Sequence, residues 1–210
     1  MGWHYIDTNR SYPLSQNEME DNVDQIYAQL YSGYTWSINA ICAVLGNMEY
    51  ESYLNPAQTQ GGYPTDSMHG GYGLVQWTPA SKIKNWCQQN NHSIYSGYWQ
   101  CYYLANEYSG EWIPTTNYPE SFAEFTHSGQ TLDYLTKCFF YNYERGTWNN
   151  QRVTMAENWY RYLMGTDPPP EPTPTPPQPP DPPPTPDPDP SRYRRNLSDI
   201  YWLRSRNLIF

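Results

Sequence analysis

The sequence predicts an α+β domain that is mostly helical, with a small β-hairpin or loop region lining a cleft, followed by a disordered proline-rich linker and a short C-terminal peptide. Three observations carry this. Apolar residues recur every three or four positions in several stretches between Met19 and Leu163. Ser, Thr and Gly stand where those stretches would start and stop. Residues 57–73 are rich in Gly, Gln, Tyr, Thr and Ser and show no helical period.

Ser15 with Glu18 reads as a capping box, and Met19, Val23, Ile26, Tyr27 and Leu30 continue one helical face until Gly33, which gives a first helix over 16–31. A second starts at Ser37, carries Ile41, Leu45 and Met48 on its apolar face, and stops at Asn55-Pro56. The aperiodic run 57–73 is the expected loop or hairpin. Thr78-Pro79 reads as a cap followed by a first-turn proline, leading into Ile83, Trp86 and Cys87. Further helices are expected over 97–108, 131–143 and 151–163, the last closed by Gly165.

Fifteen of the 21 prolines fall between Pro168 and Pro190, among Asp, Thr, Glu and Gln, so this stretch has no apolar surface to bury. Polyproline II, at about 3.1 Å per residue, would hold its ends on the order of 70 Å apart. The chain therefore divides into a folded domain over 1–166, a linker over 167–190 and a tail over 191–210. The formal net charge is −9, and the basic residues crowd into the tail. An acidic body argues against nucleic acid as a partner, because phosphate neutralisation by Lys and Arg supplies most of that affinity. It also gives no long-range attraction to an anionic surface. No run reaches the roughly 18 apolar residues of a membrane span, and the first residues lack the basic-then-apolar pattern of a secretory leader.

Glu51 falls at the end of the second helix, where unsatisfied carbonyls and the negative end of the helix dipole oppose a second negative charge. Desolvation by Ile41, Leu45, Leu54 and Trp77 would hold its proton more tightly still, making it an acid able to protonate a glycosidic oxygen. A glutamate at a helix end can equally be a solvated surface residue. Glu49, two positions away, faces elsewhere and is expected to be solvated. Nine Trp and 22 Tyr could pave a sugar-binding groove or fill a core. For Trp86, Trp99 and Trp159 the core is expected; for Tyr72 and Trp77 both readings stand. The four histidines lack ligand spacing, so no metal or cofactor is expected, although His69 could touch a substrate. Cys42, Cys87, Cys101 and Cys138 are expected to be reduced and partly buried rather than paired, a Cys87–Cys101 bridge being the weaker alternative.

Taken together, ICAVLGNMEYESYLNP (41–56) and GYGLVQWTPAS (71–81) resemble the phage tail lysozyme family, as found in the tail-knob wall-degrading proteins of small podoviruses. More loosely they are similar to goose-type lysozymes and lytic transglycosylases. The likeness continues at TKCFFYNYER (136–145) and AENWYRYL (156–163) and covers roughly residues 19–163. It implies a lysozyme-like domain with Glu51 as catalytic acid, Ser52 as its hydrogen-bonding neighbour and Gln76 contacting the sugar beside the scissile bond. Tyr143 stands where transglycosylases keep a tyrosine near the acid, whereas Glu144-Arg145 departs from their Asn-Ala-Gly and favours the tail-lysozyme pattern. A second carboxylate would set the stereochemistry. Asp66, in the loop before Gly70-Gly71, is the nearest candidate and could equally cap its own turn.

The function expected from the resemblance is hydrolysis of the β-1,4 bond between N-acetylmuramic acid and N-acetylglucosamine in bacterial peptidoglycan. The enzyme would be made in the host cytoplasm and carried in a virion tail. Alternatives are a lytic transglycosylase, an endolysin acting at release, and a non-catalytic glycan-binding tail component. In the tail, Leu197, Ile200, Tyr201, Leu203 and Leu208 among arginines suggest a peptide docking on other phage tail proteins; attachment to an anionic surface and a disordered end are the other readings.

Overall fold

The structure is a computed structural model that describes residues 2–11 and 13–170, so most of the expected linker and all of the expected docking peptide lie outside the described residues. Helix α1 (Gln16–Tyr27) starts from the Ser15–Glu18 capping box, both halves of which are formed. It runs on through a wide i→i+5 turn over Ala28–Gly33. Helix α2 (Ile38–Ser52) is capped by Ser37 and stopped by Tyr53 in the left-handed conformation, three residues before Pro56. Then come α3 (Ser81–Gln89), α4 (Gly97–Ala105), the short α5 (Phe122–Thr126), α6 (Leu132–Phe139) and α7 (Gln151–Met164). Like α1, α6 widens at its end, over Phe140–Glu144.

Several boundaries differ from expectation for visible reasons. Thr78 does not cap α3. Its hydroxyl donates to the Gln76 carbonyl, and the helix begins beyond Ala80 without a side-chain cap. Helix α4 ends at Ala105, three residues early, at Asn106, whose side-chain amide turns back to the Tyr102 carbonyl. Helix α5 is not among the expected elements, although Ser121 and Glu124 form a second capping box. Among the described residues the β component amounts to isolated bridges, Thr8 with Gln58, Thr59 with Tyr72 and Tyr72 with Trp77.

Helix α2 is the spine. Every residue from Ala40 to Met48 is buried, and the helix packs along α7 and α6. Gly46 lets α7 approach: a Cβ there would fall 2.4 Å from the Arg152 carbonyl oxygen and 2.6 Å from the Ala156 nitrogen. The loop after α2 is held by side-chain amides that stand in for backbone. Asn55 exchanges two hydrogen bonds with Ile6. Gln100 accepts from Leu74 N–H and donates to the Pro56 and Ile94 carbonyls. Gly73, at φ +81°, has no room for a Cβ beside Gln100. The four cysteines are buried and unpaired. Among the described residues no helix is long and apolar enough to cross a membrane.

Candidate active site

Glu51, in the last turn of α2, opens into a cavity of about 450 Å³ whose walls come from α2, the 58–78 loop, Glu111 and the wide turn of α6. Its carboxylate is held by Arg152, from the first turn of α7, the helix that Gly46 admits. The same guanidinium donates to Glu144 Oε2 at 2.6 Å and to Asn47 Oδ1 at 2.9 Å. It lies between two rings, 4.2 Å from the Tyr50 centroid and 4.8 Å from that of Phe140. One arginine therefore serves two acids. Its side chain is 3% exposed, that of Glu144 6% and that of Glu51 25%, so Glu51 is the member of the pair that meets the cavity most openly.

Burial holds the Glu144 carboxyl well above the usual carboxylate range. Arg152 opposes the shift, while the charge and hydrogen-bonding contact of Glu51 reinforce it. Glu144 Oε1 is buried without a hydrogen-bond partner among the described residues, the position in which a carboxyl oxygen gains most from carrying a proton rather than a share of negative charge. A proton on Glu144 therefore removes one of the two negative charges that share a single guanidinium.

The opposite wall is the GYG-containing loop. Gln76, at φ +51°, lines the cavity with its Nε2 donating to the Gln58 and Gly73 carbonyls. A Cβ on Gly71 would fall 2.8 Å from Gln76 Oε1, so glycine there keeps the amide in place. Trp77 and Tyr143 both line the cavity and are tied together, Trp77 Nε1 donating to Tyr143 Oη at 2.8 Å, with Ser109 Oγ a further 2.8 Å partner of that hydroxyl. Burial raises the Tyr143 phenol, which therefore stays protonated. Glu111, also on the wall, is paired with Lys82 and Arg145.

Four sequence-predicted residues do not line the cavity. Asp66 is exposed and does not line the cavity, lying in a turn where its charge acts on Lys84. Tyr72 is fully buried, its hydroxyl donating to the Ile94 carbonyl and its face under Lys84, so the core reading holds for it. Ser52 is buried as well and contacts no cavity space; its hydroxyl bridges the Met48 and Leu74 carbonyls, pinning the end of α2 to the facing loop. His69 is exposed and does not line the cavity. Glu49 corrects a further expectation. Rather than being solvated it is half-buried, its carboxyl raised by burial and partly relieved by the Trp159 indole N–H at 2.7 Å. Trp159 is in the core, while Trp86 and Trp99 are half-buried in an aromatic cluster, Trp99 stacked on His92. Sequence reasoning missed Glu144 and Arg152, the first noted only as a departure from a pattern.

The site is thus an acid pair on one arginine, opening on a cleft walled by amides and aromatic side chains. Residues 21–163 match the family model described as phage tail lysozyme, and the chain belongs to that family. It is also similar to morphogenesis protein 1 of Bacillus phage B103, 35% identical over 161 residues that make up 72% of this chain and 42% of that protein. The chain thus spans less than half the length of that relative.

Proposed function

We propose that the domain is a tail-borne muramidase that hydrolyses the β-1,4 bond between N-acetylmuramic acid and N-acetylglucosamine in peptidoglycan and so helps a virion through the cell wall. The observation that carries this is the Glu51–Arg152–Glu144 cluster at the cleft, in a chain of the phage tail lysozyme family. Glu51 gives the proton to the leaving glycosidic oxygen, and the proton held by Glu144 moves onto Glu51 as it does so. The C–O bond breaks, the sugar passes through an oxocarbenium-like state, water adds to the anomeric carbon, and the proton lost by that water returns to the pair. Gln76, with Trp77 and Tyr143 behind it, supports the sugar next to the scissile bond. Fixed dipoles in a partly water-excluded cleft make that support stronger than it would be in bulk water.

The test is clearing of purified sacculi by the wild type and by Glu51→Gln, which keeps shape and loses the acid, with mass spectrometry of the products. We expect reducing muramyl ends from the wild type and a loss of roughly 10²–10⁴-fold in rate for the variant, the usual contribution of a general acid. Equal clearing by the two proteins rules out Glu51 as the donor. 1,6-Anhydromuramyl ends would replace hydrolysis by transglycosylation.

A further inference from the structure

A second depression, of about 690 Å³, shares no lining residue with the catalytic cleft. Its walls come from the N-terminal segment, from α1 with the wide turn at its end, and from α4. Four rings line it, those of Trp3, Tyr34, Tyr98 and Tyr102, together with the side-chain amides of Gln25, Gln29 and Asn106. No charged residue does, in a chain with 21 acidic and 12 basic side chains.

The lining is built and partly unsatisfied. Trp3 lies flat on Gly97, where a Cβ would fall 2.1 Å from its Cζ3, so the ring is fixed in place. Asn106 Nδ2 donates to Tyr34 Oη at 3.0 Å and to the Tyr102 carbonyl at 2.8 Å, which ties the Tyr34 ring to the end of α4, where it meets the Tyr102 ring edge-on at 6.4 Å. Gln29 donates through Nε2 to the Tyr98 carbonyl at 3.0 Å, whereas its Oε1 is buried without a partner among the described residues. A buried acceptor left open calls for a donor from outside the fold. Tyr98, beside it, is 46% exposed, a ring face offered to solvent. Gln29 and Gly33 belong to the wide turn after α1, a departure from regular helix that often marks a functional site.

Rings with a few placed amides and no charge suit a ligand with apolar C–H faces, hydroxyl and amide donors and no net charge at the contact. That is an N-acetylated pyranose. A phosphate or an anionic lipid surface would need Lys or Arg in the lining. We propose that this groove is a second binding site for the sugar backbone of the wall polymer, holding the strand while the cleft cuts it. The proposal rests on the glycan reading of the cleft. It also supplies what an acidic domain lacks: with no attractive long-range field, a second contact on the same polymer raises the local concentration of cleavable bonds.

The test uses the full chain. In the Glu51→Gln background, which binds without cutting, Tyr98→Ala with Gln29→Ala should weaken co-sedimentation with purified sacculi by roughly tenfold, as loss of one stacking face and one acceptor would. In the active chain the same pair should leave cleavage of short soluble glycan fragments unchanged and slow the clearing of intact sacculi. A thermal melt close to that of the parent excludes a folding defect. Sacculus binding equal to that of the Glu51→Gln parent overturns the proposal, as it would if a protein occupied the groove. So does loss of short-fragment cleavage in step with binding, since the pair would then be acting on the cleft. In both cases the cleft reading stands if the active chain cuts sacculi. If the active chain cuts nothing, the cleft reading fails and the groove proposal falls with it.

Discussion

Replacing Arg152 by methionine keeps much of the side chain's bulk between Tyr50 and Phe140 and removes the cation that two acids share. The cost of that loss depends on pH. Above the range in which Glu144 holds its proton, its almost wholly buried carboxylate is left beside Glu51 with no counter-charge among the described residues that bond to it. Stripping the partner from a buried ion costs about 3–5 kcal/mol. Below that range Glu144 is neutral, so the loss reduces to the Asn47 contact and the ring stacking, about 1–2 kcal/mol. For a domain of this size each kcal/mol moves Tm by roughly 2–4 °C. Scanning calorimetry of Arg152→Met against wild type should therefore show a Tm loss of roughly 6–20 °C at alkaline pH where Glu144 is ionised, shrinking to roughly 2–8 °C at pH 4 where it holds its proton. The sign agrees with linkage: the Glu144 carboxyl is raised on folding, so its stabilising effect is complete below its unfolded value and is lost as pH rises through its folded one. A Tm loss that is the same at both pH values would refute the reasoning, because no charge would then have been uncovered.

Other substitutions probe the frame around the pair. Gly46→Ala places a methyl against the backbone of α7, and urea denaturation should show a loss of about 1–3 kcal/mol, with activity falling as Arg152 is pushed away from Glu51. Ser52→Ala unties the end of α2 from Leu74; we expect about 1–2 kcal/mol by the same measurement, with a change in kcat rather than KM, since Ser52 lies outside the cavity. Asp66→Asn should clear sacculi at the wild-type rate, and a large fall in rate would restore it as the second carboxylate.

The helices were legible because their ends are spelled locally. Ser15 with Glu18, Ser37, Thr131 and Gly165 all cap as their residue types demand. The cavity around Glu51 was legible too, since Glu51, Gln76, Trp77 and Tyr143 sit in compact motifs that come together around it. The acid pair was not. Arg152 is 101 positions from Glu51, and nothing local distinguishes an arginine in the first turn of a helix from a solvated one. What buries it is the close approach of α7 to α2 at Gly46, a tertiary fact. Glu144 was hidden by the wide turn at the end of α6, which aims Tyr143 and Glu144 into the same cavity where a regular helix would separate neighbours by about 100°. Tyr72 was undecided in the sequence. A tyrosine between two glycines left cleft and core both open, and the backbone pairing of Tyr72 with Trp77, with its hydroxyl on the Ile94 carbonyl, carries the ring into the core.

A direct measurement of the acid pair is the carbonyl infrared difference spectrum of wild type against Glu144→Gln at pH 7, with glutamate carboxyls labelled with carbon-13. A protonated, isotope-shifted carboxyl band in the wild type that vanishes in Glu144→Gln is the predicted result. A wild-type spectrum with every glutamate ionised at that pH would contradict the account, for the cluster on Arg152 would then hold no proton to pass to Glu51.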